Sequence, residues 1–76
     1  MSLIEEVRIG LTLPSPSEAR AIRERAGVSE ARLGQELGVT RGAVAKWERG
    51  DRRPRGDARL RYARVLADLK ALVEAA

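Results

Sequence analysis

The chain has 76 residues, with 15 Lys and Arg against 11 Asp and Glu, and it has neither Cys nor His. That length suits one small domain whose core supplies about 3 to 5 kcal/mol, and the missing Cys and His exclude disulfide staples, thiolate chemistry and the usual zinc sites. The apolar stretches are too short to span a bilayer and no basic-then-apolar signal opens the chain, so a soluble cytoplasmic protein without membrane partners is expected. Residues 1–14 form an N-terminal extension with two readings. Ser2 and Glu5 fit a capping box, and Ile4, Val7 and Leu11 fit one helical face, while Val7, Ile9, Leu11 and Leu13 alternate as a strand would. A short helix ending at Gly10 is the preferred of the two. The domain proper is expected over residues 15–76. Its first helix is predicted over residues 16–26, because Ser15 can cap, Pro16 suits the first helical position, Glu18 completes the capping box and Gly27 ends the pattern. Ala19, Ile22 and Ala26 would then face inward.

Residues 29–50 hold two short helical patterns around a glycine-containing turn, the layout of a helix-turn-helix. Ser29 caps a helix over 30–37 in which Leu33 and Leu37 sit one turn apart, Gly38 supplies the turn, and Thr40 caps a second helix over 41–49 held down by Val44 and Trp47. The exposed side of that second helix carries Arg41 and Lys46, with only Gly42, Ala43 and Ala45 around them. Trp47 reads as core, since one aromatic ring without companions is not a stacking platform for bases.

After Gly50, the stretch DRRPRG reads as a loop, and Asp57 is expected to cap a long last helix. On that helix Tyr62, Leu66, Leu69 and Val73 form a core face, with Val65 and Leu72 alongside. Leu60, Ala63, Ala67 and Ala71 form a second row. It suits packing against the N-terminal segment or a second subunit as well as it suits plain solvent exposure. Charge is uneven along the chain: residues 41–64 carry nine basic and three acidic side chains, a balance of +6, whereas the rest carries six and eight, a balance of −2. A localised basic surface of this kind attracts a polyanion and releases its counterions.

Residues 22–54, IRERAGVSEARLGQELGVTRGAVAKWERGDRRP, resemble the phage-repressor and Cro-like helix-turn-helix family, also called the XRE type. The resemblance implies an all-α fold, a compact bundle of four or five helices with a long C-terminal helix. It also implies that the helix over 41–49 lies in the major groove of double-stranded DNA while the preceding one crosses the backbone. Carried over position by position, Arg41, Gly42, Ala45 and Lys46 are the expected base-contacting residues. Ser29, Thr40, Arg49, Arg52, Arg53 and Arg55 are the expected phosphate contacts. Glu48 resembles the acidic residue that pairs with an arginine of the first domain helix, here Arg23, and with Trp47 these two are structural. Two positions depart from the family pattern. Gly42 lacks the usual polar side chain, and Glu30 stands where a glutamine commonly touches phosphate, so Glu30 either turns inward to cap its helix or makes no such contact.

The expected function is a sequence-specific transcriptional regulator of double-stranded DNA, a repressor or Cro-like protein of phage, prophage or bacterial origin. The alternative is an antitoxin or adaptor that adds protein binding to DNA binding. An enzyme is not expected, because there is no His or Cys, no glycine-rich phosphate loop and no convergent carboxylate pair. No cofactor, metal or small-molecule ligand is implied. A homodimer through the C-terminal helix or the N-terminal segment stays open beside a monomer.

Overall fold

The computed structural model describes residues 2–76, which form five helices: α1 (Leu3–Leu11), α2 (Pro16–Arg25), α3 (Glu30–Leu37), α4 (Arg41–Arg49) and α5 (Gly56–Ala75). The fold is all-α, with no strand among the described residues. Serine and threonine open the first four helices by the same device. Ser2, Ser15, Ser29 and Thr40 stand in extended conformation and their hydroxyl oxygens accept from the backbone N–H three residues on, at 3.0–3.2 Å. Each thereby satisfies one of the helix's orphan donors, worth about 1 kcal/mol at a helix start.

The N-terminal segment is helical, and α1 runs one residue past the expected stop at Gly10. Its closure comes from Thr12, whose N–H and hydroxyl both donate to the Ile9 carbonyl, at 3.1 and 2.7 Å. α2 ends one residue sooner than expected, with Ala26 as its half-buried cap. The expected cap on the last helix is corrected. Arg55 precedes α5 in extended conformation, makes no side-chain cap bond, and is followed by Gly56 at φ +57°. That left-handed glycine turns the chain into the helix before Asp57, which lies inside the first turn, where its charge favours the positive end of the helix dipole.

The core gathers Ala19 and Ile22 from α2, Leu33 and Leu37 from α3, Val44 and Trp47 from α4, and Tyr62 and Leu66 from α5. The Trp47 and Tyr62 rings pack 4.9 Å apart, tilted by 40°. These side chains recur at three- or four-residue spacing on each helix, so one face of each is removed from water, at about 1.5–3 kcal/mol for each large side chain fully buried. Two assignments on α5 change. Ala63, read as part of the second row, is buried, whereas Leu72, read beside the core, is 69 % exposed. The helix has neighbours on more than one side, α2 and α3 across the core and α1 on another flank, so its buried surface is not a single stripe. Ala67 and Ala71 of the second row stay exposed, beside a shallow groove shared with Thr12 and Pro14.

α1 lies on α5, with Ile9 half-buried, but turns a face of four large apolar residues outward. Leu3, Ile4, Val7 and Leu11 are all more than half exposed. No described helix is long and apolar enough to cross a membrane.

Candidate nucleic-acid interface

The α3–turn–α4 unit is held close by a glycine that the sequence reading passed over. A methyl group built on Gly34 would come within 2.8 Å of the Val39 carbonyl oxygen and 3.2 Å of the Thr40 carbonyl carbon. The turn therefore folds directly onto the middle of α3, and the Val39 N–H donates to the Gly34 carbonyl at 2.9 Å. Gly38, at φ +71°, reverses the chain there. The available signal was energetic. A glycine inside a helix costs about 1 kcal/mol relative to alanine, so its presence asks for a close approach.

Around α4 the exposed and core-facing surfaces separate by angle. At about 100° per residue, Arg41, Ala45, Arg49, Gly42 and Lys46 follow one another around an arc of about 140°, and Ala43, Trp47, Val44 and Glu48 fill the rest of the circumference, Glu48 lying next to Arg41 in angle but two turns along the helix. Burial follows this division. Val44, Trp47 and Glu48 are buried, whereas Arg41, Gly42 and Lys46 are exposed and Ala45 is half-buried. Ala43, grouped in the sequence reading with the small residues of the exposed side, instead packs against the core. The first turns of the exposed arc thus have a long cationic side chain at each edge with only Gly42 and Ala45 between them, and Arg49 follows on the same arc in the last turn. Such a surface can lie close to base edges while the two cations reach outward to either side.

Beneath α4, Arg23 and Glu48 form a two-pronged ion pair. Arg23 Nε donates to Glu48 Oε2 at 2.6 Å and Nη2 to Oε1 at 2.9 Å, while Nη1 donates to the Val28 carbonyl at 2.9 Å. The two side chains are 11 % and 3 % exposed, so the pair is withdrawn from solvent and a partner for each charge is required. The hydrogen bond to Glu48 raises the Arg23 pKa further, against the opposing effect of burial. The pair anchors the C-terminal half of α4 to α2 and to the loop that leads into α3. Nearby, burial pushes the Tyr62 phenol up to about 12, with the Glu48 carboxylate adding to the effect.

The remaining candidate contacts lie along the same side of the fold and in the loop after α4. Ser29 and Thr40 are exposed, and each hydroxyl, although accepting from its own helix, keeps a hydrogen to donate to a phosphate oxygen. Arg49, Arg52, Arg53 and Arg55 are exposed as well. Arg49 Nε donates to Asp51 Oδ2 at 2.9 Å, which offsets part of its charge. Arg52, Arg53 and Arg55 line a groove opposite Pro14, Ser15 and Pro16, at the start of α2. Glu30 does not cap its helix, a role filled by Ser29. It sits in the first turn of α3 with its carboxylate 3.9 Å from Arg41 Nε, across the gap between α3 and α4. The ion pair escaped the sequence reading because its partners belong to different helices, eleven residues apart.

Among known proteins, the family model described as Helix-turn-helix matches residues 20–71, more than half of the chain. No curated protein matches the chain, and no solved structure does. The matched stretch begins within α2 and ends within α5, and so takes in the whole α3–turn–α4 unit, the buried pair beneath it and the arginine loop. The chain belongs to the XRE-type helix-turn-helix family of DNA-binding regulators.

Proposed function

We propose that this chain is a sequence-specific repressor or Cro-like regulator that lays α4 in the major groove of double-stranded DNA. The observation that carries the reading is the exposed arc of α4, which presents Arg41, Lys46 and Arg49 around the small Gly42 and Ala45, on a helix fixed from below by Trp47, Val44 and the Arg23–Glu48 pair. In this reading Arg41 and Lys46 read base edges, with Arg41 offering two parallel N–H groups to guanine O6 and N7. Gly42 and Ala45 let the helix backbone approach. Ser29, Thr40, Arg49, Arg52, Arg53 and Arg55 hold phosphates and set register without reading sequence. The protein works as a binding module without catalytic chemistry, in a bacterial cytoplasm or nucleoid.

The test is fluorescence anisotropy on two probes, a duplex recovered by the protein from a randomised library and an unselected duplex pool. Arg41→Ala is expected to weaken the selected duplex by about 1–3 kcal/mol and to relax one base position. Arg53→Ala is expected to weaken both probes alike and to lower the salt slope by about 0.9. Equal losses on both probes for Arg41→Ala would remove Arg41 from the base-reading set.

The outward apolar face of α1 favours one addition, a homodimer that places two α4 helices on half-sites one helical turn apart. Leu3, Ile4, Val7 and Leu11, with Leu72 on α5, are the large apolar residues exposed among those described, and pairing of two copies would remove them from water.

A further inference from the structure

The ion pair between Glu30 and Arg41 joins a helix start to the first residue of the exposed arc, and its geometry is uneven. Arg41 is 74 % exposed and Glu30 only 24 %, so the carboxylate is the fixed partner and the guanidinium the mobile one. Arg23, held beneath α4 by Glu48, also feels the Glu30 charge, so that carboxylate acts on the buried pair as well as on Arg41. The nearest approach is made by Arg41 Nε, at 3.9 Å, longer than a hydrogen bond. A contact of that length and exposure locks nothing in place. Its effect lies in what else can approach Arg41.

Two kinds of acceptor compete for an arginine at the edge of a DNA groove. A phosphate is anionic, and seating it against Arg41 brings it toward the Glu30 carboxylate, which repels it. The acceptors of guanine, O6 and N7, are uncharged and meet no such penalty, and they are reached by the two terminal amino groups that remain when Nε faces Glu30. We propose, resting on the DNA-binding reading above, that Glu30 is a specificity-determining residue: it biases Arg41 away from phosphate and presents its terminal amino groups to a guanine edge. The acidic residue that looks misplaced beside a polyanion thus lowers binding to arbitrary sequence more than binding to the cognate one. It acts through Arg41 and is a positioning residue.

The experiment compares the wild-type chain, Glu30→Gln, Arg41→Ala and the double variant on the selected duplex and on the unselected pool, across a salt series. Glu30→Gln is nearly the same shape and its site is partly open, and thermal unfolding checks that the fold persists. Expected is a gain of about two- to fivefold on the unselected pool, a salt slope steeper by about 0.9, and a reduced ratio of selected to unselected affinity. With Arg41→Ala in the background, the loss of selectivity caused by Glu30→Gln should vanish. A second variant, Glu30→Asp, keeps the charge and shortens the reach, and should lower selectivity while leaving the salt slope as in the wild type. Selectivity unchanged in Glu30→Gln, or lost equally with and without Arg41, overturns this proposal alone. A wild-type chain that binds neither probe overturns the DNA-binding reading, and this proposal with it.

Discussion

Arg23 and Glu48 carry a larger share of the fold than their number suggests. Removing one partner leaves a charge stranded where Glu48 is 3 % and Arg23 11 % exposed, at a cost of about 3–5 kcal/mol. That is the size of the whole stability expected of a domain this small, about 3–5 kcal/mol from its core. Arg23→Met should therefore lose its helical circular dichroism at room temperature, and Arg23→Met with Glu48→Leu should regain it, because replacing both partners strands nothing. A stable single variant would mean that water reaches the carboxylate. Tyr62 offers the opposite case. Its hydroxyl is buried with no hydrogen-bond partner among the described residues, so Tyr62→Phe should match or exceed the wild type in urea unfolding, by about 1 kcal/mol. Its pKa is raised from 10.0 to about 12 by burial. A raised folded pKa means that the unfolded phenol ionises first, so this contribution is full below pH 10 and falls as pH climbs to about 12. Alkaline unfolding should accordingly be shallower in Tyr62→Phe than in the wild type, as followed by circular dichroism.

At the level of the elements, two glycines on neighbouring helices make contrasting cases. Gly34→Ala improves helix propensity by about 1 kcal/mol, yet its methyl group meets backbone at 2.8 Å. Backbone cannot rotate away as a side chain can, so the net result should be a loss of about 1–3 kcal/mol in urea unfolding. Gly42 has only the Thr40 hydroxyl oxygen near its missing methyl, at 3.8 Å. Gly42→Ala should stabilise the fold by about 0.5–1 kcal/mol while weakening the selected duplex if the backbone of α4 comes close to the bases. The same contrast explains what could be read in advance. Caps and periodicity act within a few residues, so Ser15, Ser29, Thr40, Leu33 and Val44 announced α2, α3 and α4 almost to the residue. Contacts between elements leave weaker traces. The approach at Gly34, the Glu30–Arg41 pair and the burial of Ala63 each depend on a neighbour that periodicity does not specify. The start of α5 was misplaced for a related reason, since the chain enters that helix through a left-handed Gly56 and no side chain caps it.

For the whole molecule, charge and apolar surface lie in different places. The net charge of +4 is the sum of a strongly basic stretch over residues 41–64 and a slightly acidic remainder, so attraction to DNA should come from α4, its loop and the start of α5, and fade with salt. The exposed apolar residues lie instead on α1 and near the end of α5. If that face joins two copies, Val7→Glu should shift light scattering from dimer to monomer mass without altering helical content, and the salt slope on a duplex with two half-sites should fall toward half as the copies bind one at a time. An unchanged mass in both proteins would leave α1 outside any self-contact. The individual helices were legible from caps and repeats and the fold class from the family resemblance, whereas the outward turn of α1 was not, because an amphipathic pattern shows that a helix has an apolar face and not which neighbour will cover it. The two small residues on the exposed arc of α4 bear on a question of another kind, how such a protein acquires a new target. Gly42 and Ala45 support no part of the core, so, on the proposed reading, the address could be rewritten at two sites by adding side chains while the scaffold beneath α4 stays as it is.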